Sequence, residues 1–258
     1  MPTIATWNVN SVNARLPNVV EWLAAAKPDI VLLQEIKCQD AAFPREAIED
    51  QGYNVATHGQ KSYNGVAILS RRPLEDVVRG LPGDPADEQA RYLEASVGGL
   101  RVASIYLPNG NPIGTDKFAY KLAWMARLRA HATALLELDE AVVLGGDYNV
   151  IPEEIDCHDP RAWLGDALFQ PESRRAFRSL LYLGFTEACR ALHPDERGAY
   201  SFWDYQGGAF QLDHGIRIDH LLLSPQAADR LAGCTIDKNP RRQPKTSDHT
   251  PVIVELRD

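Results

Sequence analysis

A chain of 258 residues, 45% apolar and 24% charged, has the material for one large domain with its own core, and none of its apolar runs is long enough to span a bilayer. The net charge of −8 argues against a protein that coats nucleic acid by bulk electrostatics, although an acidic body with a local basic face is compatible with a nuclease. The N-terminus shows no basic and apolar leader, and Cys38, Cys157, Cys189 and Cys234 lie far apart without a C-x-x-C pair, so neither a zinc site nor a disulfide framework is expected and a reducing cytoplasm fits best.

Taken along the chain, β-branched and apolar runs alternate with helical patterns. Thr3–Trp7 predicts a strand, Asn13–Ala26 a helix, Ile30–Leu33 a strand and Pro44–Gln51 a helix. Four strands follow at Tyr53–Thr57, Val66–Ser70, Tyr92–Val97 and Val102–Leu107, then a helix over Lys117–Leu138. A strand at Ala141–Leu144, a helix at Glu172–Leu183 and strands at His220–Ser224 and Val252–Leu256 complete the series. In the long helix Leu122, Met125, Leu128, Ala132, Leu135 and Leu136 form one apolar stripe, with Lys121, Arg127 and Arg129 off it. Pro82–Glu88, Pro108–Thr115 and Pro152–Pro171 read as loops. Without repeats or a linker, residues 1–258 read as a single domain of the α/β class, with mixed sheets and helices outside them. Basic ground for a polyanion is offered by Lys61, Arg71, Arg72, Lys117, Lys121, Lys238, Arg241, Arg242 and Lys245, each of which has solvated surface charge as its alternative.

Five polar clusters stand against strand-like runs: Trp7-Asn8-Val9-Asn10, Gln34-Glu35, Gly146-Asp147-Tyr148-Asn149, Arg217-Ile218-Asp219 and Ser247-Asp248-His249. Asn8, Glu35, Tyr106 and Asp147 follow their strands, whereas Asp219 and Asp248-His249 precede theirs. If the late strands run opposite to the early ones, all of these reach one rim. Glu35 is then a ligand for Mg²⁺, which needs only one or two carboxylates and keeps several waters, or else a solvated strand end. Gly145 and Gly146 allow a tight turn after the strand, and Asp147 and Asn149, two apart, share a side on which a carboxylate can activate water. Asp219 on the same rim would hold His249 charged, and an imidazolium beside a phosphate stabilises developing negative charge. Asn10 reads as a helix cap or a site residue, and Tyr106 as a core or a site tyrosine. The aromatic run Tyr200–Tyr205, which contains Phe202 and Trp203, is packing or the lining of a nucleotide or sugar pocket. His158, with Asp156, Cys157 and Asp159, lies in a loop without a matching second cluster and does not read as a site. G-x-x-x-x-G-K-[ST], H-E-x-x-H and G-x-S-x-G are absent, leaving metal-assisted hydrolysis of a phosphodiester as the reaction class.

The order W-N-V-N, L-L-Q-E-x-K, N-G-V-A-I-L-S, Y-x-P-N, G-G-D-Y-N, R-I-D and S-D-H, running from Trp7 to Val254, resembles the exonuclease III family of DNA-repair nucleases, which includes the class II apurinic/apyrimidinic endonucleases. The resemblance implies a DNase I-like four-layer α/β sandwich, two packed mixed sheets flanked by helices. It implies Mg²⁺, with Mn²⁺ able to substitute, at Glu35 and Asp248, with Asn8, Asp147, Asn149 and His249 around the ion. Asn10 stands where relatives often carry an acid, which suits a water-bridged contact. Asp147 matches the water-activating residue and Asn149 its partner, while Asp219 and His249 match an Asp–His pair. Asn8, Tyr106 and Asn109 match positions that support the metal or the scissile phosphate.

Lys61, Asn64 and Trp203 join the substrate contacts. Phe202, Ile216 and Ile218 match the apolar pocket for a flipped abasic sugar, with Ile216 where one branch has Trp. Asn109-Gly110-Asn111-Pro112 replaces the run in which some relatives carry an intercalating Arg, and Asp213 stands where relatives commonly have Asn. The implied partner is duplex DNA, abasic or damaged at a 3′ end, acted on by a monomer that engages no membrane. Alternatives are a phosphatase of inositol phosphates or phospholipids on the same fold, and a catalytically silent DNA-binding scaffold.

Overall fold

The computed structural model describes all 258 residues and resolves the apolar runs into two six-stranded sheets. In chain order the elements are β1 (Thr3–Asn8), α1 (Leu16–Ala26), β2 (Ile30–Gln34), α2 (Arg45–Glu49), β3 (Asn54–His58), β4 (Val66–Ser70), β5 (Glu75–Arg79), β6 (Tyr92–Val97) and β7 (Leu100–Tyr106). They continue with α3 (Asp116–Leu136), β8 (Ala141–Asp147), α4 (Pro171–Leu181), β9 (Thr186–Glu187), α5 (Ala188–Leu192), β10 (Asp219–Leu223), α6 (Pro225–Ala228), β11 (Leu231–Ile236) and β12 (Val252–Leu256). The first sheet has the order β11-β12-β1-β2-β4-β3 and the second β5-β6-β7-β8-β10-β9.

Both sheets are mixed. β1 is parallel to β2 and antiparallel to β12, and β8 is parallel to β7 and antiparallel to β10. Strands covered on both faces need apolar side chains at successive positions rather than alternation, and β2 and β4 are buried along their whole length. The inner faces meet through Ile4, Leu32, Ile68, Val143, Leu221 and Val254. The outer face of the first sheet packs on α1 and α2 through Trp7, Trp22, Leu33 and Ile48, and that of the second on α3 and α4 through Ile105, Leu128, Leu144 and Phe177. The layers are therefore helix, sheet, sheet, helix, the expected sandwich. Polar ties also cross between the sheets: Gln34 Nε2 donates to Ser104 Oγ at 3.0 Å, and Ser104 Oγ donates to Leu33 O at 2.9 Å.

Several elements differ from their sequence expectations. β8 does not stop at Leu144 for a glycine turn; it runs through Gly145 and Gly146 to Asp147. The glycines serve packing instead, since a Cβ at Gly145 would lie 2.6 Å from Leu221 and Leu32, and one at Gly146 would lie 2.0 Å from Ile105 O. β5, β9 and β11 carry no strong strand signal: β5 is a largely exposed, polar edge strand, β9 has two residues, and β11 is an edge strand with a register shift before Gly233. α1 starts at Leu16 rather than Asn13 because residues 12–15 turn first, and β3 and β7 are displaced by one or two residues. Lys121, expected off the apolar stripe and on a basic surface, is fully buried. Cys189 of α5 and Cys234 of β11 form a disulfide with Cα atoms 5.2 Å apart, against the expectation of none, because the fold brings together residues 45 apart in sequence. No helix is long and apolar enough to cross a membrane.

Candidate active site

Strand direction delivers the polar clusters to one end of the sandwich. The ends of β1 and β2 lie side by side with Asn8 opposite Gln34, so Glu35 emerges next to Asn8. In the second sheet Tyr106, ending β7, is opposite Asp147, ending β8, and Asp219, opening the antiparallel β10, is opposite Asp147 on the other side. The loop before β12 docks on β1 through Ser247 Oγ, which donates to Asn8 O at 2.7 Å, and through Trp7 Nε1, which donates to His249 O at 3.2 Å. The late strands do run opposite to the early ones, and the clusters meet.

The centre is a buried carboxylate held from both sheets. Asn8 Nδ2 donates to Glu35 Oε1 at 2.8 Å and to Asp147 Oδ2 at 2.9 Å, bridging the sheets. The Asn149 N–H donates to Asp147 Oδ1 at 2.9 Å. His249 Nδ1 lies 2.8 Å from Asp219 Oδ2, and its Nε2 lies 3.8 Å from Asp147 Oδ2. Ser201 Oγ donates to Asp219 Oδ2 at 2.6 Å and accepts the N–H groups of Ile218 and Asp219. Asn149 Nδ2 donates to Leu107 O, and its Oδ1 accepts from Asn109 Nδ2 at 3.2 Å.

Burial and charge set the titration of this group. Burial raises the Asp147 carboxyl to about 7, with Asp219 adding to the rise and His249, Asn8 and Asn149 opposing it. Burial alone would lower His249, but the Asp219 and Asp147 carboxylates outweigh it and push the imidazole up to about 10. At Glu35 burial is outweighed by Lys37 and Asn8, which hold the carboxylate below its ordinary range. Burial, Glu35 and Asp147 hold the Tyr106 phenol well above its ordinary range. At neutral pH His249 therefore presents a cation to Asp147.

Other predicted residues surround this centre at varying distance. Asp248 accepts from Asn10 Nδ2 at 3.1 Å, and Lys37 Nζ bridges Asn10 Oδ1 at 2.6 Å and Glu35 Oε2 at 2.7 Å. Phe202 packs edge-on against His249 with ring centroids 4.9 Å apart and is bridged in backbone register to both His249 and Ile216. Ile216 and Ile218 are buried with Ile151, Cys157, Leu168 and Phe169, while Phe202 and Trp163 lie half-exposed at the edge of that cluster. Trp203 is fully buried, its Nε1 donating to Asp213 at 3.1 Å. Asn64 is buried behind the site, its carbonyl accepting from the Lys37 N–H, and Lys61 is exposed in the neighbouring turn. Asn109 is exposed at the rim.

Sequence reasoning gave no role to Lys37 or Arg91, and it placed Ser201 and Tyr205 only within the Tyr200–Tyr205 run read as packing or a pocket lining. Tyr205 Oη accepts from Asn10 and Arg15 and donates to Thr246 O, and Arg91 stacks over the Tyr106 ring at 4.9 Å. Lys37 had a signal in the L-L-Q-E-x-K run, and Arg91 had none. Asn10, Ser11, Glu35, Lys37, Asn64 and Asn149 all have positive φ, between 45° and 84°, a concentration of unfavourable backbone around one point.

Ligating atoms of Glu35, Asp147 and His249 all lie within 4.8 Å of one another. Two carboxylates with amide groups beside them suit a hard, water-retaining divalent cation, and the buried Asp219 Oδ1 has no hydrogen-bond partner in the protein. The donor set fits such an ion.

Comparison with known proteins follows this geometry. The Endonuclease/Exonuclease/phosphatase family matches residues 5–249. Exodeoxyribonuclease III of Haemophilus influenzae is 33% identical over 98% of both chains. An AP endonuclease from Archaeoglobus fulgidus superposes with a TM-score of 0.95 at 40% identity, covering 99% of each chain. A 3′ phosphatase from Neisseria bound to a product DNA hairpin superposes with a TM-score of 0.96 at 41% identity, again over 99% of each.

Proposed function

This chain belongs to the Endonuclease/Exonuclease/phosphatase family, and from that membership and its site we propose a DNA-repair nuclease of the exonuclease III type, which cuts duplex DNA 5′ to abasic sites and trims 3′ ends. The observation that carries the reading is Asp147, a buried carboxylate gripped by Asn8 and the Asn149 N–H and faced by a His249 that Asp219 keeps charged. Asp147 takes the proton of the attacking water, a role its raised pKa suits, and Asn149 orients that water. The His249 imidazolium offsets charge developing on the phosphoryl oxygens. Tyr106, Asn109 and Asn10 line the phosphate path, and Phe202, beside His249, meets the sugar face, with Trp203, Ile216 and Ile218 as its packed support. Lys61 sits on the approach of the DNA strand, and the buried Asn64 supports the Glu35–Lys37 segment by accepting the Lys37 N–H.

Bound Mg²⁺, or Mn²⁺ in its place, would act as a Lewis acid on the phosphate and its leaving 3′-oxygen, held by Glu35 and Asp248 with Asn8, Asp147 and Asn149 around it; His249, expected among these, has no free lone pair as an imidazolium and serves the phosphate instead. The products are a 3′-hydroxyl and a 5′-phosphate. The working form we propose is a single-domain monomer in the cytoplasm; the Cys189–Cys234 bond counts against that compartment, where disulfides are rarely kept.

End-labelled duplexes with and without an abasic site, resolved at nucleotide resolution, test the reading. Scission on the 5′ side of the lesion in Mg²⁺, with none in EDTA, is expected. Undiminished cutting in EDTA would refute the metal, and turnover of small inositol phosphates with intact DNA left uncut would refute the substrate.

A further inference from the structure

Lys121 is the one lysine wholly removed from solvent, and the hydrolytic steps above leave it without a task. α3 carries it under the rim of the second sheet. Its Nζ donates to Asn109 O at 3.0 Å and to Asn149 O at 2.5 Å. Both acceptors are main-chain carbonyls, one from the loop after β7 and one from the segment after β8. The side chains of the same two residues are joined above it, Asn109 Nδ2 to Asn149 Oδ1 at 3.2 Å. Asn149 in turn donates its backbone N–H to Asp147.

The slot is shaped for this side chain. Gly110 has φ +87°, and a Cβ there would stand 2.6 Å from Lys121 Cδ and 3.2 Å from its Cβ. An ammonium buried among carbonyls is a poor choice for stability alone, since an apolar side chain of similar volume fills such a slot without the desolvation penalty of a charge. Its retention points instead to what the ammonium holds in place.

We infer that Lys121 is a positioning residue, which locks the loops bearing Asn109 and Asn149 into one unit beside Asp147. The inference rests on the nuclease reading, because the value of holding the two amides lies in their contact with water and phosphate.

Lys121→Met in the full chain keeps the stem and deletes the donors. Three quantities are measured: the single-turnover rate on an abasic duplex in Mg²⁺, affinity for that duplex in EDTA by fluorescence anisotropy, and the side-chain amide resonances of Asn109 and Asn149. The expected result is a rate lower by about 10- to 100-fold, as misplacement of a positioned group by an ångström can cause, with affinity within about 2-fold and displaced or broadened amide signals. A rate loss below about 10-fold, or one matched by an equal loss of affinity, would overturn the inference. If Lys121→Met does not fold, Gly110→Ala, whose methyl pushes the lysine stem aside, is read by the same criteria. A wild-type protein that leaves DNA uncut would sink the nuclease reading instead, and the amide resonances would still decide whether Lys121 holds both loops.

Discussion

At the scale of single residues, the pairing of His249 with Asp219 converts a group that burial would leave neutral into a cation. Asp219→Asn should lower the cleavage rate by about 10²- to 10⁴-fold, the usual worth of a positioned acid–base group. The sign of the pH effect follows from the raised His249 pKa. The imidazolium persists through neutral pH and is lost only as pH rises toward about 10. Without Asp219 the alkaline limb of the pH–rate profile should move to lower pH; an unmoved limb would detach His249 from Asp219. Asp147, Asn149, Asp219 and His249 were readable before any coordinates because each caps an apolar run whose direction could be argued. Arg91 was not, since an isolated arginine has no pattern, and Ser201 and Tyr205 showed only as members of an aromatic run, which does not disclose their partners Asp219 and Thr246. Lys121 was misplaced for a related reason: helical periodicity treats a lysine as surface and cannot see two carbonyls waiting beneath it.

At the scale of elements, the inner strands β1, β2, β4 and β8 were legible as unbroken apolar runs, whereas β5, β9 and β11 were not, because edge strands need no continuous apolar pattern. β9 matters beyond its two residues. Its Glu187 accepts from Arg217 at 2.7 Å, and Arg217 also donates to Asp156 at 2.8 Å, making a buried ion cluster. Burial would raise Glu187, but Arg217 and His220 outweigh it and hold it at about 2. A depressed carboxylate adds stability that is complete above its unfolded value, near 4.5, and is lost as pH falls toward 2. Urea titrations across that window should show a drop that Glu187→Gln makes shallower, at a cost of about 3–5 kcal/mol at neutral pH, because Arg217 is left buried with one partner fewer. Equal acid sensitivity in both proteins would contradict this. α5 and β11 offer a simpler count: denatured, unreduced protein should expose only the thiols of Cys38 and Cys157, and reduction should add two more. Four thiols before reduction would remove the Cys189–Cys234 bond.

Across the whole molecule, an acidic chain is asked to hold a polyanion, so binding must depend on local contacts and not on the net charge of −8. Affinity for duplex DNA should fall linearly with salt on logarithmic axes, by about 10³-fold between 50 and 200 mM if some six phosphates are engaged. A flat response would mean that DNA is not held by its backbone. The alternating helix and strand signals reached only mixed sheets with helices outside them, and the four-layer arrangement was implied by the resemblance of the motif order to the exonuclease III family. What no local pattern disclosed was the contact between sheets, where Asn8 of the first reaches Asp147 of the second. That contact puts the proposed chemistry at the seam, and one comparison addresses it most directly. Wild type and Asp147→Asn are given the same abasic duplex in Mg²⁺, with binding followed in parallel by gel shift. The variant should bind as wild type does and cut more slowly by about 10²- to 10⁴-fold. Cutting by Asp147→Asn at a rate near that of wild type would contradict the account.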